Sequence, residues 1–137
     1  MDEITLLAIK PDGVSRGLVG KIIQRVEDKG LDILDIAMFI PSDVFAKAFY
    51  AEHIGKEFFE ILIYHFCAGP AVFIRIGGID SVAIIRNMVG PASEGLYKAG
   101  TIRGDYATYG QFNVVHASAT KEDAERELGI VRIEVWG

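Results

Sequence analysis

A basic surplus, paired cysteines and long apolar runs are all missing from this 137-residue chain. Each absence narrows what it can do. Lysine and arginine total 14 against 19 aspartates and glutamates, a net charge of −5. A nonspecific binder of DNA or RNA normally carries a basic excess, so nucleic acid is disfavoured as the main partner. The single cysteine, Cys67, has no partner for an internal disulfide, and its apolar neighbours mark it as a small core residue rather than a nucleophile. No apolar run approaches the ~18 residues that a bilayer span needs. The richest segment, "EFFEILIYHFCAGPAVFIRIGGI", is cut by charges and by Gly69-Pro70. The opening "MDEITLL" is acidic where a secretory signal would be basic, so a cytoplasmic location is expected. No H-x-x-x-H or C-x-x-C spacing occurs, and His53 and His65 read as helix-surface or partly buried residues, not metal ligands. Both G-x-x-x-x-G-K-[ST] and G-x-G-x-x-G are absent, which removes the two common nucleotide-phosphate loops.

What remains is half hydrophobic and 24% charged, a globular composition of a length that suits one domain over residues 1–137. A small chain this apolar is expected to bury some of its surface against copies of itself. "ITLLAI" reads as a buried strand, followed by a turn in "KPDGVSRG". "LVGKIIQRVEDKG" has helical spacing and a closing Gly30, and "LDILDIAMFI" alternates as a second strand. Ser42 or Asp43 caps a helix in "VFAKAFYAEH", and "KEFFEILIYHFCAG" makes another, ending at Gly69. "AVFIRI" is a third strand, and "IDSVAIIRNMVG" a helix opened by Asp80 or Ser81. A long irregular stretch, "PASEGLYKAGTIRGDYATYGQF", reads as a functional or disordered loop. "NVVHA" is a fourth strand. "TKEDAERELG" is a last helix with Thr120 and Asp123 as a capping box and Gly129 as its stop, and "IVRIEVW" is an edge strand or packed extension. This order predicts an α+β, ferredoxin-like βαββαβ sandwich: a four-stranded, mostly antiparallel sheet with helices on one face. A small doubly wound sheet is the runner-up.

Chemistry concentrates at the fourth strand. Alternation puts Asn113, Val115 and Ala117 on one side and Val114, His116 and Ser118 on the other. His116 there is either a half-buried core histidine or a reactive one. Ser118 shares its side, Asn113 offers donor and acceptor groups, and Glu122, Asp123, Glu125 or Glu127 of the next helix can reach back to the ring. A carboxylate beside imidazole fixes its tautomer and raises its basicity, as a nucleophile requires. Three cations lie in positions that suit an anion. Lys10 ends the first strand, Arg86 sits on the helix before the long loop, and Arg103 lies in the glycine-flanked "GTIRGD".

"AIKPDGVSRGLVG", "FYAEHIGKEFF", "GTIRGDY" and "NVVHASA" follow the order and spacing of nucleoside diphosphate kinases, and the chain resembles that family from Thr5 to about Ile130. The resemblance implies a ferredoxin-like fold with a long nucleotide-binding loop. It implies ping-pong transfer of a γ-phosphoryl from a nucleoside triphosphate to a nucleoside diphosphate through phosphohistidine at His116. By matching position, Lys10 and Asn113 contact the sugar hydroxyls, and Arg86 and Arg103 hold the β- and γ-phosphates. Tyr50 and Lys10 bond the phosphoryl in transit, Phe58 stacks on the base, and Glu127 with Ser118 orients His116. Mg2+ rides on the nucleotide phosphates, with no protein side chain as ligand. The family also implies homo-oligomers, with hexamers favoured and tetramers or dimers possible. Stacking on one aromatic face accepts any base, so broad base and sugar tolerance is expected.

Besides an altered loop, "SEGLYKAG", and a short tail, three single residues depart from the family's habit. Ala92 replaces a threonine whose hydroxyl reaches a phosphate, a bond worth about 1.5–3 kcal/mol. Gly110 replaces an apolar contact to the base, and Ala119 replaces an aspartate. The nucleophile and the cations are retained. That argues against the alternative of a catalytically weakened regulatory relative acting through partners.

Overall fold

In the computed structural model, residues 2–93, 95–110 and 112–136 are described. Seven helices and four strands follow in the order β1 (Glu3–Ile9), α1 (Pro11–Ser15), α2 (Val19–Asp28), β2 (Asp32–Phe39), α3 (Asp43–Phe49), a 3-10 turn (Ala51–His53), α4 (Phe59–Phe66), β3 (Ala71–Gly78), α5 (Ser81–Val89), α6 (Ile102–Tyr106), β4 (Val115–Ala117) and α7 (Lys121–Trp136). The strands form one sheet in the order β2-β3-β1-β4, and every pairing is antiparallel. This is the ferredoxin-like arrangement that the order of apolar segments predicts.

The central strands β1 and β3 are apolar on both sides, and this decides the layering. Leu7, Ile9, Val72, Ile74 and Ile76 face Ile22 and Val26 of α2 and Ile85 and Val89 of α5. Leu6, Ala8 and Phe73 face the opposite way, against Phe45 and Phe49 of α3, Phe66 of α4 and Val131 of α7. Helices therefore cover both faces of the sheet, which corrects the expectation of one covered face. A strand with a continuous apolar run exposes too much hydrophobic surface to leave either side wet. The second layer is held by aromatic contacts, among them Phe39 stacked on Phe73 at 4.7 Å and Phe45 edge-on to Phe73 at 5.5 Å.

Three further expectations change. The "KPDGV" turn is the short helix α1, because Pro11 at the first helical position brings a preset φ and no orphaned amide. The long loop is not wholly irregular: Thr101 Oγ1 accepts from the Gly104 amide at 2.9 Å and starts α6, which Arg25 of α2 ties down through Asp105. The chain does not stop at Gly129 either. Thr120 Oγ1 caps the Asp123 amide at 3.0 Å, and α7 then runs unbroken through "IVRIEVW". Glycine in a helix costs about 1 kcal/mol, and the packing of Leu128, Val131 and Val135 on the aromatic layer outweighs it.

At the free edge of the sheet, β2 carries Leu34, Ile36 and Met38 exposed, with Ile40 exposed just beyond its end. No helix among the described residues is long and apolar enough to cross a membrane.

Candidate functional site

The other edge of the sheet holds the chemistry. The start of β4, the ends of β1, α3 and α5, and the first two turns of α7 enclose a cleft of about 760 Å³. Lys10, Tyr50, Phe58, Arg86, Arg103, Asn113, His116 and Glu127 all line it, so residues more than 100 positions apart come together in one place. Ser118 is fully buried behind them. A groove of similar size, about 790 Å³, lies between α7 and the β2 side of the sheet. It has no histidine, and its Arg75 is paired with Asp35 at 2.6 Å.

β4 is shorter than expected, and the reason shapes the site. Val114 has φ of 72°, a conformation that costs a β-branched residue about 1–2 kcal/mol. Its amide donates to Asp12 Oδ2 at 3.0 Å, and its carbonyl accepts from the Lys10 amide at 2.8 Å. Alternation therefore fails at its first step. Val114 packs into the core with Val115 and Ala117, while Asn113 turns toward Lys10. Gly13 of α1 lies beneath this kink; a Cβ there would come within 2.8 Å of Ile9 Cγ2 and 3.0 Å of Val114 Cγ1. Asp12 and Gly13 are thus structural members of the site that a strand-by-strand reading misses. The acidic residue and glycine beside Lys10 in "KPDG" were their only signal.

His116, the middle residue of β4, is 17% exposed along its side chain, and its Nε2 lies 2.8 Å from Glu127 Oε1. A carboxylate only accepts, so Nε2 carries a proton, and in the neutral ring the lone pair is on Nδ1. Ser118 Oγ donates to the same Glu127 oxygen at 2.7 Å, so the serine steadies the carboxylate and acts on the ring only through it. The ring is walled edge-on by Phe49 at 5.0 Å and Tyr50 at 5.4 Å. Glu127 is 1% exposed, and its second oxygen lies 3.5 Å from Arg126 Nη2. A buried carboxylate with three partners is a fixed orienting group, not a mobile one.

The cations differ in their commitments. Lys10 is 2% exposed and donates through Nζ to Asn113 Oδ1 at 2.9 Å. Burial lowers its pKa to about 8; Asp12 opposes the shift and Arg103 adds to it. Arg103 lies on α6, not in an open loop, and is 4% exposed. It donates to the carbonyls of Gly90 at 2.8 Å, Val115 at 2.6 Å and Asn113 at 3.4 Å. Burial lowers its pKa to about 10, with Tyr50 opposing and Arg86 adding to the shift. A guanidinium has five N–H groups, so two remain for an anion. Arg86 is exposed at the mouth and donates to the Ala117 carbonyl at 3.3 Å. Tyr50 is 4% exposed, and burial, with Glu127 nearby, pushes its phenol well above the usual range, so the hydroxyl stays a donor. Phe58 is 40% exposed on the cleft wall.

Ala92, Gly110 and Ala119 also line the cleft, so the three departures from habit all face whatever binds there. His53 lines it too, half-buried in the 3-10 turn, whereas His65 packs at 4.8 Å on Phe112. Cys67 is half-buried at the rim of the aromatic layer, and burial raises its thiol pKa. Among the described residues, no three His, Cys, Asp or Glu side chains meet in a way that could hold a metal ion. The donor set is cationic, and Glu127 is committed to His116 and Ser118. Such a set suits an anionic ligand rather than a bare cation.

Three comparisons bear on what such a cleft is for. A family model described as Nucleoside diphosphate kinase matches residues 3–133. The chain is 45% identical to the nucleoside diphosphate kinase of Exiguobacterium sibiricum over 93% of both chains. It is 41% identical to that of Methanocaldococcus jannaschii over 93% of this chain and 91% of the other. Among solved structures, that of the Aquifex aeolicus nucleoside diphosphate kinase superposes with a TM-score of 0.91 at 31% identity, covering 96% and 95% of the two chains. A Halobacterium salinarum nucleoside diphosphate kinase in complex with CDP also gives a TM-score of 0.91, at 35% identity over 95% and 87%.

Proposed function

Since the chain belongs to the nucleoside diphosphate kinase family, we propose that it moves the γ-phosphoryl of a nucleoside triphosphate to a nucleoside diphosphate in two half-reactions through His116. In the first, Nδ1 attacks the γ-phosphorus, the bond to the bridging oxygen breaks, and the nucleoside diphosphate leaves. In the second, a terminal phosphate oxygen of another nucleoside diphosphate attacks the same phosphorus and the N–P bond breaks. The observation that carries this reading is the His116–Glu127 pair at 2.8 Å on the wall of a cation-lined cleft. Positive charge grows on the ring as Nδ1 bonds to phosphorus, and the buried carboxylate at Nε2 stabilises it.

Phosphoryl transfer passes through a loose transition state, so most of the work is positioning and charge. Arg86 and Arg103 hold the β- and γ-phosphates. Lys10 and the Tyr50 hydroxyl donate to the oxygens of the phosphoryl in transit, and Lys10 with Asn113 meets the sugar hydroxyls. Phe58 stacks on the base. Bound with the nucleotide, Mg2+ supplies further charge neutralisation on the phosphates. None of these contacts reads a base edge, which supports tolerance of every base and of both ribose and deoxyribose. Free nucleotides as substrates and the absence of a spanning helix among the described residues support a cytoplasmic enzyme. The exposed apolar residues of β2 support association of copies into a homo-oligomer.

The test is transfer of label from γ-labelled ATP with magnesium to the isolated protein. Acid-labile, base-stable label on the wild type and none on His116→Ala is expected. Equal labelling of the two proteins rejects the phosphohistidine.

A further inference from the structure

We propose that His53 is a positioning residue that fixes Phe58 as the platform for the nucleotide base. The proposal rests on the reading that Phe58 stacks on the base, and it concerns what holds that ring. Phe58 precedes α4, is 40% exposed, and has solvent over much of its surface. A phenyl ring so placed loses rotamer freedom on stacking unless something has already fixed it.

His53 supplies that contact. Its ring meets Phe58 edge-to-face, with centroids 5.2 Å apart and planes at 61°. The imidazole is itself held, because Lys56 Nζ lies 3.0 Å from its Nδ1. An ammonium only donates, so Nδ1 accepts and the proton sits on Nε2. Burial lowers the ring's pKa, with Glu52 opposing and Lys56 and His116 adding to the shift, consistent with a neutral ring. Lys56 Nζ also sits 5.7 Å from the centroid of Phe58, so the two side chains flank the platform together.

The support continues to the catalytic helix. Glu52 Oε1 is 3.8 Å from His53 Nε2, and Glu52 Oε2 accepts from Arg126 Nη2 at 3.0 Å. Arg126 adjoins Glu127 on α7 and also donates to the carbonyls of Ala48 and Phe49. One chain of contacts thus joins the residue beside the ring's carboxylate to the base platform.

Stacking binds ground state and transition state alike, so its loss raises KM and spares kcat. Steady-state kinetics of full-length His53→Ala, Phe58→Ala and the double variant, with ATP as donor and GDP or CDP as acceptor, tests this. His53→Ala is expected to raise KM for both acceptors on the order of three- to tenfold, with kcat within about twofold of wild type. In the Phe58→Ala background the same change adds nothing to KM, because the ring it acts through is gone. His53→Gln, whose amide oxygen accepts from Lys56, recovers part of the loss. Wild-type KM in His53→Ala beside a raised KM in Phe58→Ala overturns the role of His53 alone. The same holds if its effect is undiminished in the double variant or falls on kcat. Unchanged KM in Phe58→Ala overturns the stacking reading, and the platform role of His53 with it.

Discussion

Asp12 holds the amide of Val114 through its Oδ2 at 3.0 Å, so a helix at the start of the chain fixes the backbone two residues before His116. Val114 is fully buried, with φ of 72°, and its amide points away from the sheet. Without an acceptor that amide would be orphaned inside the protein. Asp12→Ala should destabilise the fold by about 1–3 kcal/mol and slow phosphorylation of His116. Asp12→Asn, which keeps an acceptor oxygen, should keep most of both. Chemical denaturation and single-turnover labelling measure the two effects. Equal losses in the two variants would mean that charge, not the acceptor, is what Val114 needs.

Glu127→Gln preserves volume and an acceptor but removes the negative charge facing the ring. A charge-assisted bond becomes a neutral one, and about 1.5–3 kcal/mol of stabilisation goes with it. The half-reaction should slow on the order of 10- to 100-fold while nucleotide affinity changes little. Stopped-flow measurement of phosphoryl uptake separates rate from binding. Weakened binding at an unchanged rate would assign Glu127 to the nucleotide instead.

Lys10 gives the cleft a pH limit. With its pKa lowered to about 8, it is charged below that value and neutral above it. For the free enzyme, kcat/KM should therefore fall as pH rises through about 8. Bound phosphates favour the ammonium and move the same limb of kcat to higher pH. The stability sign is the reverse. Below about 8 the folded protein carries the cost of a buried charge, and that cost is relieved between 8 and the ordinary lysine value of 10.5. Lys10→Arg should lose the alkaline limb, whatever its absolute rate. A limb that stays in place belongs to another group.

The exposed edge of β2 makes a prediction about assembly. Met38 is 57% exposed and Ile36 49%, both on the side of the sheet that α2 and α5 cover elsewhere. Met38→Lys places a charge on that apolar row and should yield a smaller species in light scattering, with the monomer fold intact by circular dichroism. An unchanged mass would move the contact between copies to another surface.

Gly129 lies within α7 with open space around a prospective Cβ. Gly129→Ala should raise stability by about 0.5–1 kcal/mol, because the unfolded chain loses freedom and the helix loses none. A thermal melt reads the change; a lower midpoint would show that the bare backbone has a use there.

Much of this is legible in the sequence, and the limits have physical causes. β1, β2, β3, α2 and α5 declare themselves by apolar spacing, which is what one buried face or two imposes on a chain. α6 does not, because five residues are too few for a period, and its start depends on Thr101 alone. α7 looked shorter because glycine is the usual stop, and only the aromatic layer beneath says otherwise. His116 and the cations of the cleft carry motif signatures; their supports do not. Arg103 is held by three backbone carbonyls and Val114 by a side chain 102 positions away. A carbonyl acceptor has no residue type, so no string of letters announces it. His53 reads correctly as a partly buried residue, but its simultaneous contact with Phe58 and Lys56 is a matter of the folded chain alone.

Arg103 cannot follow its ligand. Pinned to Gly90, Asn113 and Val115, the guanidinium is part of the masonry. Whatever phosphate it meets must come to it. In the two half-reactions proposed for His116, a donor and an acceptor would be served by the same fixed seat, one after the other, with the phosphoryl as the only passenger left on board between them. Such a seat invites congestion. In that scheme abundant diphosphate would occupy the unloaded enzyme and keep the triphosphate out, so turnover should pass through a maximum as the acceptor concentration rises.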